Sequence, residues 1–304
     1  CTANLPVADA IDPAQTDDNF PQKLFSTTLY TGNDTTNNIT GVGFQPDLLL
    51  FKIRSTASSG MWVDTNRART TASYSINNDA EITIANITAI GTDGFSLDGT
   101  SDLKANFNGN GNTYVVWAWR ANGGTTSTNT QGDIDSTVQV DPSGGFSIVK
   151  YTGTLSSSGV QTVGHGLSKA PSMFITKSLE KVGNWWVFSD EQTSWNYGLN
   201  LQTDGAQADK SGNGSMSAPN ANVFSTNYTD GMNENGNDLI AYCFANIEGY
   251  CKVGSYVGNA ATDGTFVYTG FKPAFVMNKP LVAGNWRLVD SQRSPYNVTQ
   301  NALS

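Results

Sequence analysis

Apolar side chains stand on alternate positions in two stretches of the chain, residues 112–119 and 237–244. This period of two is that of a β-strand, in which successive side chains point to opposite faces of the sheet. The intervening positions are also mostly apolar, so we expect both faces of each strand to be buried and both strands to lie inside a sheet. The matched positions are Val115, Trp117 and Trp119 in the first stretch and Ile240, Tyr242 and Phe244 in the second.

These two strands close a longer pattern that occurs twice in full and a third time in part. Each occurrence has a Tyr-x-Gly step, a turn that ends in Pro, an apolar run that ends in Lys, and then Trp with a nearby Asp. Four landmarks in one order predict internal duplication. The landmarks are Tyr30, Pro46, Lys52, Trp62 and Asp64; then Tyr151, Pro171, Lys177, Trp185 with Trp186, and Asp190; then Tyr256, Pro273, Lys279, Trp286 and Asp290.

The third occurrence has no closing strand before Ser304. A sandwich without a central strand leaves backbone groups unpaired and apolar surface exposed. We therefore expect that strand to come from downstream chain or from a neighbouring subunit, or else this part of the chain to be disordered.

Short apolar segments separated by Gly/Asn-rich turns predict an all-β fold of tandem antiparallel β-sandwich or jelly-roll-like repeats, with the third repeat incomplete. The repeats are about twice the length of a propeller blade, which argues against a propeller. The predicted organisation is an extended N-terminal arm (1–27), a first repeat (28–121), a Gly/Thr/Asn-rich connector (122–143), a second repeat (144–250) and a partial third repeat (251–304).

Charge and hydropathy exclude two classes of partner. The net charge is −9 and the isoelectric point is about 4.5, so the surface repels nucleic-acid phosphates and anionic lipid headgroups. No apolar run reaches the roughly 18 residues of a membrane span. We predict no nucleic-acid partner and no membrane insertion. Only 14% of residues are charged, so the many Asn and Thr side chains offer neutral hydrogen-bonding groups to other subunits or to glycans.

Residues that usually carry catalysis are scarce. His165 is the single histidine, and the corresponding positions of the other repeats hold Val42 and Thr269. No nucleophile elbow, phosphate-binding loop or dinucleotide fingerprint occurs. The recurring Asp residues are typical of turns at strand ends. We predict that the protein is not an enzyme, although two carboxylates in one cleft, enough for a glycosidase, leave no motif in a sequence.

Metal and redox chemistry leave few signals. Asp133, Asp135 and the Asn/Gly turns offer oxygen ligands for calcium, but there is no twelve-residue loop with a closing Glu. We predict no required cofactor, with calcium as the alternative. Cys243 lies in an apolar strand pattern, which favours a buried thiol over a disulfide with Cys251.

Trp185, Trp186 and Trp195 lie near Asn184 and Asn196 and are the candidate contacts for a glycan. An aromatic face beside polar groups is a common platform for a sugar ring. Adjacent Trp185 and Trp186 must point to opposite faces of a strand, so we expect one of them to face outward. The alternative is that these side chains fill the core.

Several strings of the chain resemble a repeat-containing domain of large virion proteins from marine bacteriophages, cyanophages included. The resemblance covers residues 23–304 and implies a tail-fibre or other structural virion component, with no catalytic residues to carry over. The strings are LYTGN (29–33), ITGVGFQPD (39–47), DGF (93–95), YVVWAW (114–119), GFSIVKYTG (145–153), VGHGL (163–167), AYCF (241–244) and YTGFKPAF (268–275).

Taken together, the pattern and the resemblance predict a structural virion component, part of a tail fibre or another host-facing appendage that acts in adsorption. Its expected partners are other virion subunits, including copies of itself, and a glycan of the host surface. Two alternatives stay open. One is a capsid decoration or head-fibre protein, and the other is a glycan-depolymerising enzyme of the tailspike kind.

Overall fold

The computed structural model describes residues 21–75, 77–141, 143, 145–295 and 302–303. The described chain is almost entirely β-structure in antiparallel sheets, which confirms the predicted fold class, and it has one short helix, α1 (Lys104–Phe107). Most of the predicted N-terminal arm, residues 1–20, lies outside the described residues. The remainder of the arm is a 3-10 turn at Pro21–Lys23 followed by the start of the first strand at Phe25.

The first unit of the fold is built from nine strands in two sheets. A six-stranded sheet has the order β1-β9-β3-β4-β5-β6, and a three-stranded sheet has the order β2-β8-β7. The strands are β1 (Phe25–Thr31), β2 (Asn37–Thr40), β3 (Leu48–Ile53), β4 (Met61–Asp64), β5 (Thr71–Tyr74), β6 (Ile82–Thr83), β7 (Ile87–Gly91), β8 (Gly94–Leu97) and β9 (Thr113–Trp119).

The second unit contains ten strands, and a C-terminal hairpin follows it. The large sheet of the second unit has the order β10-β11-β12-β19-β14-β15-β16-β17, and β13 pairs with β18 in a small sheet. The strands are β10 (Ser127–Asn129), β11 (Ser136–Asp141), β12 (Phe146–Thr152), β13 (Val160–Gly164), β14 (Met173–Ser178), β15 (Trp186–Ser189), β16 (Tyr197–Asn200), β17 (Ala208–Asp209), β18 (Val223–Asn227) and β19 (Asp238–Phe244), with β20 (Phe275–Asn278) and β21 (Arg287–Asp290) in the hairpin.

The stretch expected as a connector, residues 122–143, is not a free linker. It contains β10 and β11, which pair with each other and extend the large sheet beyond β12. Val138 faces the core and Thr137 is exposed, whereas Gln139, on the same face as Thr137, is buried and accepts a hydrogen bond from Thr65 at 3.0 Å. The division of the chain into repeats otherwise stays a prediction.

The two large sheets share one strand order. From β12 onward the second sheet reads β12-β19-β14-β15-β16-β17, in the same sequence as β1-β9-β3-β4-β5-β6. The registers also agree, because Trp117 lies opposite Leu50 in the first sheet and Tyr242 lies opposite Ile175 in the second. The correspondence expected between the two alternating stretches therefore holds in the pairing of the strands.

Three apolar cores lie in layers through the molecule. One core fills the first unit between its two sheets, and a second core fills the second unit in the same way. The third, which we call the shared core, lies between the two large sheets and also takes in the hairpin. Its larger members are Trp62, Trp117, Trp119, Phe146, Trp185, Tyr242 and Trp286.

This layering explains why both faces of the alternating strands are apolar. In β9, Val116 and Ala118 point into the core of the first unit, while Trp117 and Trp119 point into the shared core. A sheet with a layer packed on each face needs apolar residues at consecutive positions. The alternating aromatic face thus joins units to one another, and the small-residue face holds each unit together.

Candidate functional site at the interface between units

A buried ion pair between Asp64 and Arg67 borders the shared core, where Arg67 contacts Trp62 and Tyr242. β4 ends at Asp64, and the turn after it brings Arg67 back, so that Nε of Arg67 lies 2.6 Å from Oδ2 of Asp64. Neither side chain is more than 2% exposed. Tyr242 of the second unit donates its hydroxyl hydrogen to the same Oδ2 across 2.8 Å. One carboxylate therefore ties the two units together.

The charge on Arg67 is held by its neighbours. Burial by itself would lower the pKa of Arg67, but the negative charges of Asp64 and Glu81 outweigh burial and raise the pKa above its ordinary value. Burial also raises the pKa of the Tyr242 hydroxyl, so this group stays protonated and remains a donor.

The same arrangement occurs in the C-terminal hairpin. Nε of Arg293 lies 2.5 Å from Oδ2 of Asp290, and both side chains are buried. Trp117 of the first unit donates its indole N–H to that oxygen across 3.1 Å, and the guanidinium of Arg293 lies 5.3 Å from the centre of the Trp117 ring. A side chain of a neighbouring closing strand again reaches a buried carboxylate.

The second unit carries a neutral version of this turn. Ser189 pairs with Met173 in the second unit as Asp64 pairs with Leu48 in the first, so Ser189 occupies the position of Asp64. Gln192 accepts a hydrogen bond from the Ser189 backbone N–H at 3.0 Å and donates one to the Val187 carbonyl at 3.0 Å. The amide of Gln192 thus replaces the guanidinium with neutral hydrogen bonds.

Two landmarks of the sequence alignment are therefore wrong in register. Asp190 lies one residue beyond the position of Asp64, since its backbone N–H donates to Ser172 as the N–H of Thr65 donates to Asp47. The counterpart of Trp62 is Val187, because each lies opposite the middle of its neighbouring strand. The loops before these positions are equally long in the two units, residues 54–60 and 179–185, so the alignment erred because it matched Trp and Asp by residue type and not by spacing.

Matched contacts join the second unit to the first and the hairpin to the second unit. Each neighbour pair has an indole N–H, a lysine ammonium and two backbone N–H groups bonded to carbonyls across the interface, so the hairpin repeats the docking of the second unit. The donors and acceptors are Trp185 to Tyr74, Lys177 to Asn78, Glu81 to Leu179 and Gly183 to Asn78 in the first interface, and Trp286 to Asn200, Lys279 to Asp204, Gln207 to Leu281 and Gly284 to Asp204 in the second.

These contacts close into a ring around the shared core. The second unit contacts the first, the hairpin contacts the second unit, and Trp117 of the first unit contacts Asp290 of the hairpin. Each of the three parts therefore contacts the other two around the shared core. A cavity of about 60 Å³ is lined in part by Trp62, Trp117 and Trp286 of the shared core.

Lys177 is a further buried charge at the interface. Its ammonium donates to the carbonyls of Ser178 at 2.7 Å, Asn78 at 3.4 Å and Lys181 at 3.4 Å. Burial lowers the pKa of Lys177 to about 8. These contacts give it a structural role between the units.

Sequence reasoning missed Arg67, Arg293 and Lys177 as interface residues. A signal was present for the arginines, because Asp and Arg are three residues apart at both 64–67 and 290–293. Lys177 recurs in the pattern as Lys52 and Lys279, but a strand-ending Lys usually reaches solvent, so the recurrence did not indicate burial.

The expectation that Trp185 or Trp186 faces outward is wrong. Trp185 is fully buried in the shared core, and Trp186 is 3% exposed in the core of the second unit, where its indole N–H donates to the Asp230 carbonyl at 2.7 Å. The two rings do point to opposite faces, but the sheet has a packed layer on each. Trp195 is partly exposed and lies parallel to the ring of Phe174, 5.9 Å between centres.

The remaining candidate residues have structural partners. Nδ1 of His165 accepts from the Leu167 backbone N–H, which leaves Nε2 to donate to the Asn220 carbonyl at 3.0 Å. Asp133 accepts from the backbone and the hydroxyl of Thr162. Among the described residues, no group of three His, Cys, Asp or Glu side chains could hold a metal ion. Cys243 is a buried free thiol, and burial raises its pKa to about 12.

The fold and the interface define an all-β protein whose two-layer units pack through their large sheets on one shared core. The chain belongs to the family of the domain of unknown function DUF7483, whose model matches residues 20–304. Comparison with curated proteins and with solved structures gave no match. In the part of the chain that the structure describes, no helix is long and apolar enough to cross a membrane.

Proposed function

We propose that this chain is a structural component of a bacteriophage virion, part of a tail fibre or another host-facing appendage that acts in adsorption. The observation that carries the proposal is the shared core. An extended appendage must keep its parts in fixed orientation, and close packing with buried ion pairs and hydrogen bonds between the parts gives a joint little freedom. The strings that resemble marine phage virion proteins add support.

The proposal includes the absence of catalytic turnover. The side chains with the most reactive chemistry are engaged within the fold: Asp64 pairs with Arg67, and both ring nitrogens of His165 are bonded to backbone groups. A catalytic acid or base must reach a substrate proton, and a fully buried group with fixed partners does not do so.

The partners that we propose are other virion subunits, including copies of the same chain, and a glycan of the host surface. Trp195 is the candidate contact that retains exposed ring surface. The net charge of −9 disfavours direct contact with an anionic envelope, so we propose a neutral glycan or a contact bridged by divalent cations.

Labelling of intact virions tests the assignment. An antibody raised against the purified chain, with gold-conjugated secondary antibody, should mark the tail appendages of the phage that encodes it in electron micrographs. Preimmune serum is the control. Label on the head would support the capsid-decoration alternative, and virions without label would refute the proposal.

Incubation of the purified chain with host polysaccharide tests the absence of turnover. We expect no release of oligosaccharides. Fragments that appear with the purified chain, but not with heat-denatured chain, would establish a depolymerase instead.

A further inference from the structure

The hairpin strand β20 lacks a partner that its counterparts have. In the first unit β3 lies between β9 and β4, and in the second unit β14 lies between β19 and β15. β20 pairs with β21 on one side, and no strand of the described residues pairs with its other edge. An open edge presents backbone N–H and C=O groups to any strand that fits.

One face of the hairpin is packed against the shared core. Phe275 and Met277 pack against the shared core, and Phe275 lies 5.3 Å from Trp117 and 5.8 Å from Trp119, measured between ring centres. Since the ring of contacts fixes the hairpin against both units, the open edge stands at a defined place and angle.

The other face of the hairpin is uncovered. Val276 is 40% exposed, whereas Leu49 and Phe174, which alternate in the same way within β3 and β14, are each 1% exposed. Most exposed large apolar side chains of the described residues cluster in this part of the chain, which marks an interaction surface. They include Tyr256, Val257, Phe266, Tyr268, Val276 and Val282.

We propose that the open edge of β20 is an acceptor for one extended strand of the type of β9 and β19. The interface continues that of the first two units, so β9 and β19, which pair with the counterparts of β20, indicate the sequence of the incoming strand. It should carry aromatic or aliphatic side chains on alternate positions toward the shared core and small apolar side chains between them. Backbone pairing supplies affinity, and the alternating side chains supply the register. This proposal goes beyond a role in the virion and does not depend on it.

The chemistry of one position of the incoming strand follows from the ring of contacts. Tyr242 reaches Asp64, and Trp117 reaches Asp290, from positions opposite Ile175 and Leu50. The turns at Asp64 and Asp290 therefore already have a partner from a closing strand, and the incoming strand would meet the remaining turn, the neutral one with Ser189 and Gln192. Because this turn has no buried carboxylate that needs a hydrogen-bond donor, we expect the β20 edge to bind a strand with Phe as tightly as one with Tyr at the position equivalent to Tyr242.

A peptide taken from the chain itself provides the probe. It carries residues 237–246 with Cys243→Ser, two added lysines for solubility and a fluorescein label. We expect saturable binding to the intact chain by fluorescence anisotropy, and slowed hydrogen exchange of the amides of residues 275–278. The same peptide with Tyr242→Phe should bind within about twofold.

Matched controls decide whether binding uses this edge. A peptide with Ile240→Pro loses a backbone donor that faces the β14 edge in β19, as Asp238 and Phe244 do, and should bind about tenfold more weakly or not at all. In the protein, Val276→Asp places a charge against the incoming strand and should weaken binding about tenfold, whereas Val282→Asp, at an exposed valine outside β20, should leave binding unchanged.

Three outcomes would overturn the proposal. Peptide binding that protects another strand in place of residues 275–278 would assign a different edge. Self-association of the chain that Val276→Asp abolishes would make a second copy the occupant. A lack of saturable binding by the matched peptide would show that β20 is not an acceptor.

Discussion

Replacing the buried ion pair of the first unit with the neutral pair of the second unit tests how the units are joined. Asp64→Ser removes the carboxylate but leaves Arg67, which is 2% exposed, with its charge. The double variant Asp64→Ser/Arg67→Gln reproduces the arrangement of Ser189 and Gln192. The second unit therefore provides the model for this control variant.

The structure sets the size of the two effects. Removing one partner of a buried pair costs about 3–5 kcal/mol, because the remaining charge stays desolvated. Glu81 still lies 3.2 Å from Arg67, so we expect the single variant to lose about 3 kcal/mol, near the lower limit. The double variant buries no lone charge; its main cost is the buried Tyr242 hydroxyl left without its acceptor, about 1–2 kcal/mol, which the single variant also carries.

Urea unfolding provides the measurement, with tryptophan fluorescence for the shared core and far-ultraviolet circular dichroism for the strands. The midpoint of the single variant should fall clearly below that of the double variant, at an unchanged slope. Equal midpoints, or a lower midpoint for the double variant, would refute the argument that the uncompensated charge of Arg67 dominates.

Further predictions concern packing, pH and adsorption. Trp117→Ala should lower the free energy of unfolding by about 3–5 kcal/mol, because Trp117 is 1% exposed, and Trp195→Ala, at a partly exposed ring, should cost clearly less in the same urea assay. Burial lowers the pKa of Lys177 to about 8 from its ordinary 10.5, so between these two pH values the unfolded chain holds the proton and the folded chain releases it. The free energy of unfolding of the wild type should therefore rise relative to that of Lys177→Met between pH 7.5 and pH 10, by up to about 3 kcal/mol. Parallel pH profiles of the two proteins would contradict the role of burial. Binding of the purified chain to host cells should increase with calcium and fall for Trp195→Ala, and an unchanged Trp195→Ala variant would exclude this glycan contact.

Several features of the fold follow from local sequence. Strands β9 and β19 are visible as alternating apolar residues, and the all-β class follows from short strands and frequent turns. The runs after Pro46 and Pro171 also align in register with the strands that form there, because proline and the following strand are a few residues apart. Such features depend on backbone geometry within one segment.

Other features depended on contacts between distant segments. Alternation showed that Trp185 and Trp186 point to opposite faces, but only the packing of the two large sheets decided that neither ring reaches solvent. The position equivalent to Asp64 is Ser189 and not Asp190; the strand register decides this, and the change from Asp to Ser hides it from a comparison by residue type.

The amino-acid sequence by itself determined the strand class, the two faces of each closing strand and the order of the landmarks. The tertiary structure decided what covers each face, which carboxylates become buried and that the three parts close into a ring. The physical reason is that periodicity records which residues share a face, whereas burial and pairing depend on what another part of the chain places against that face.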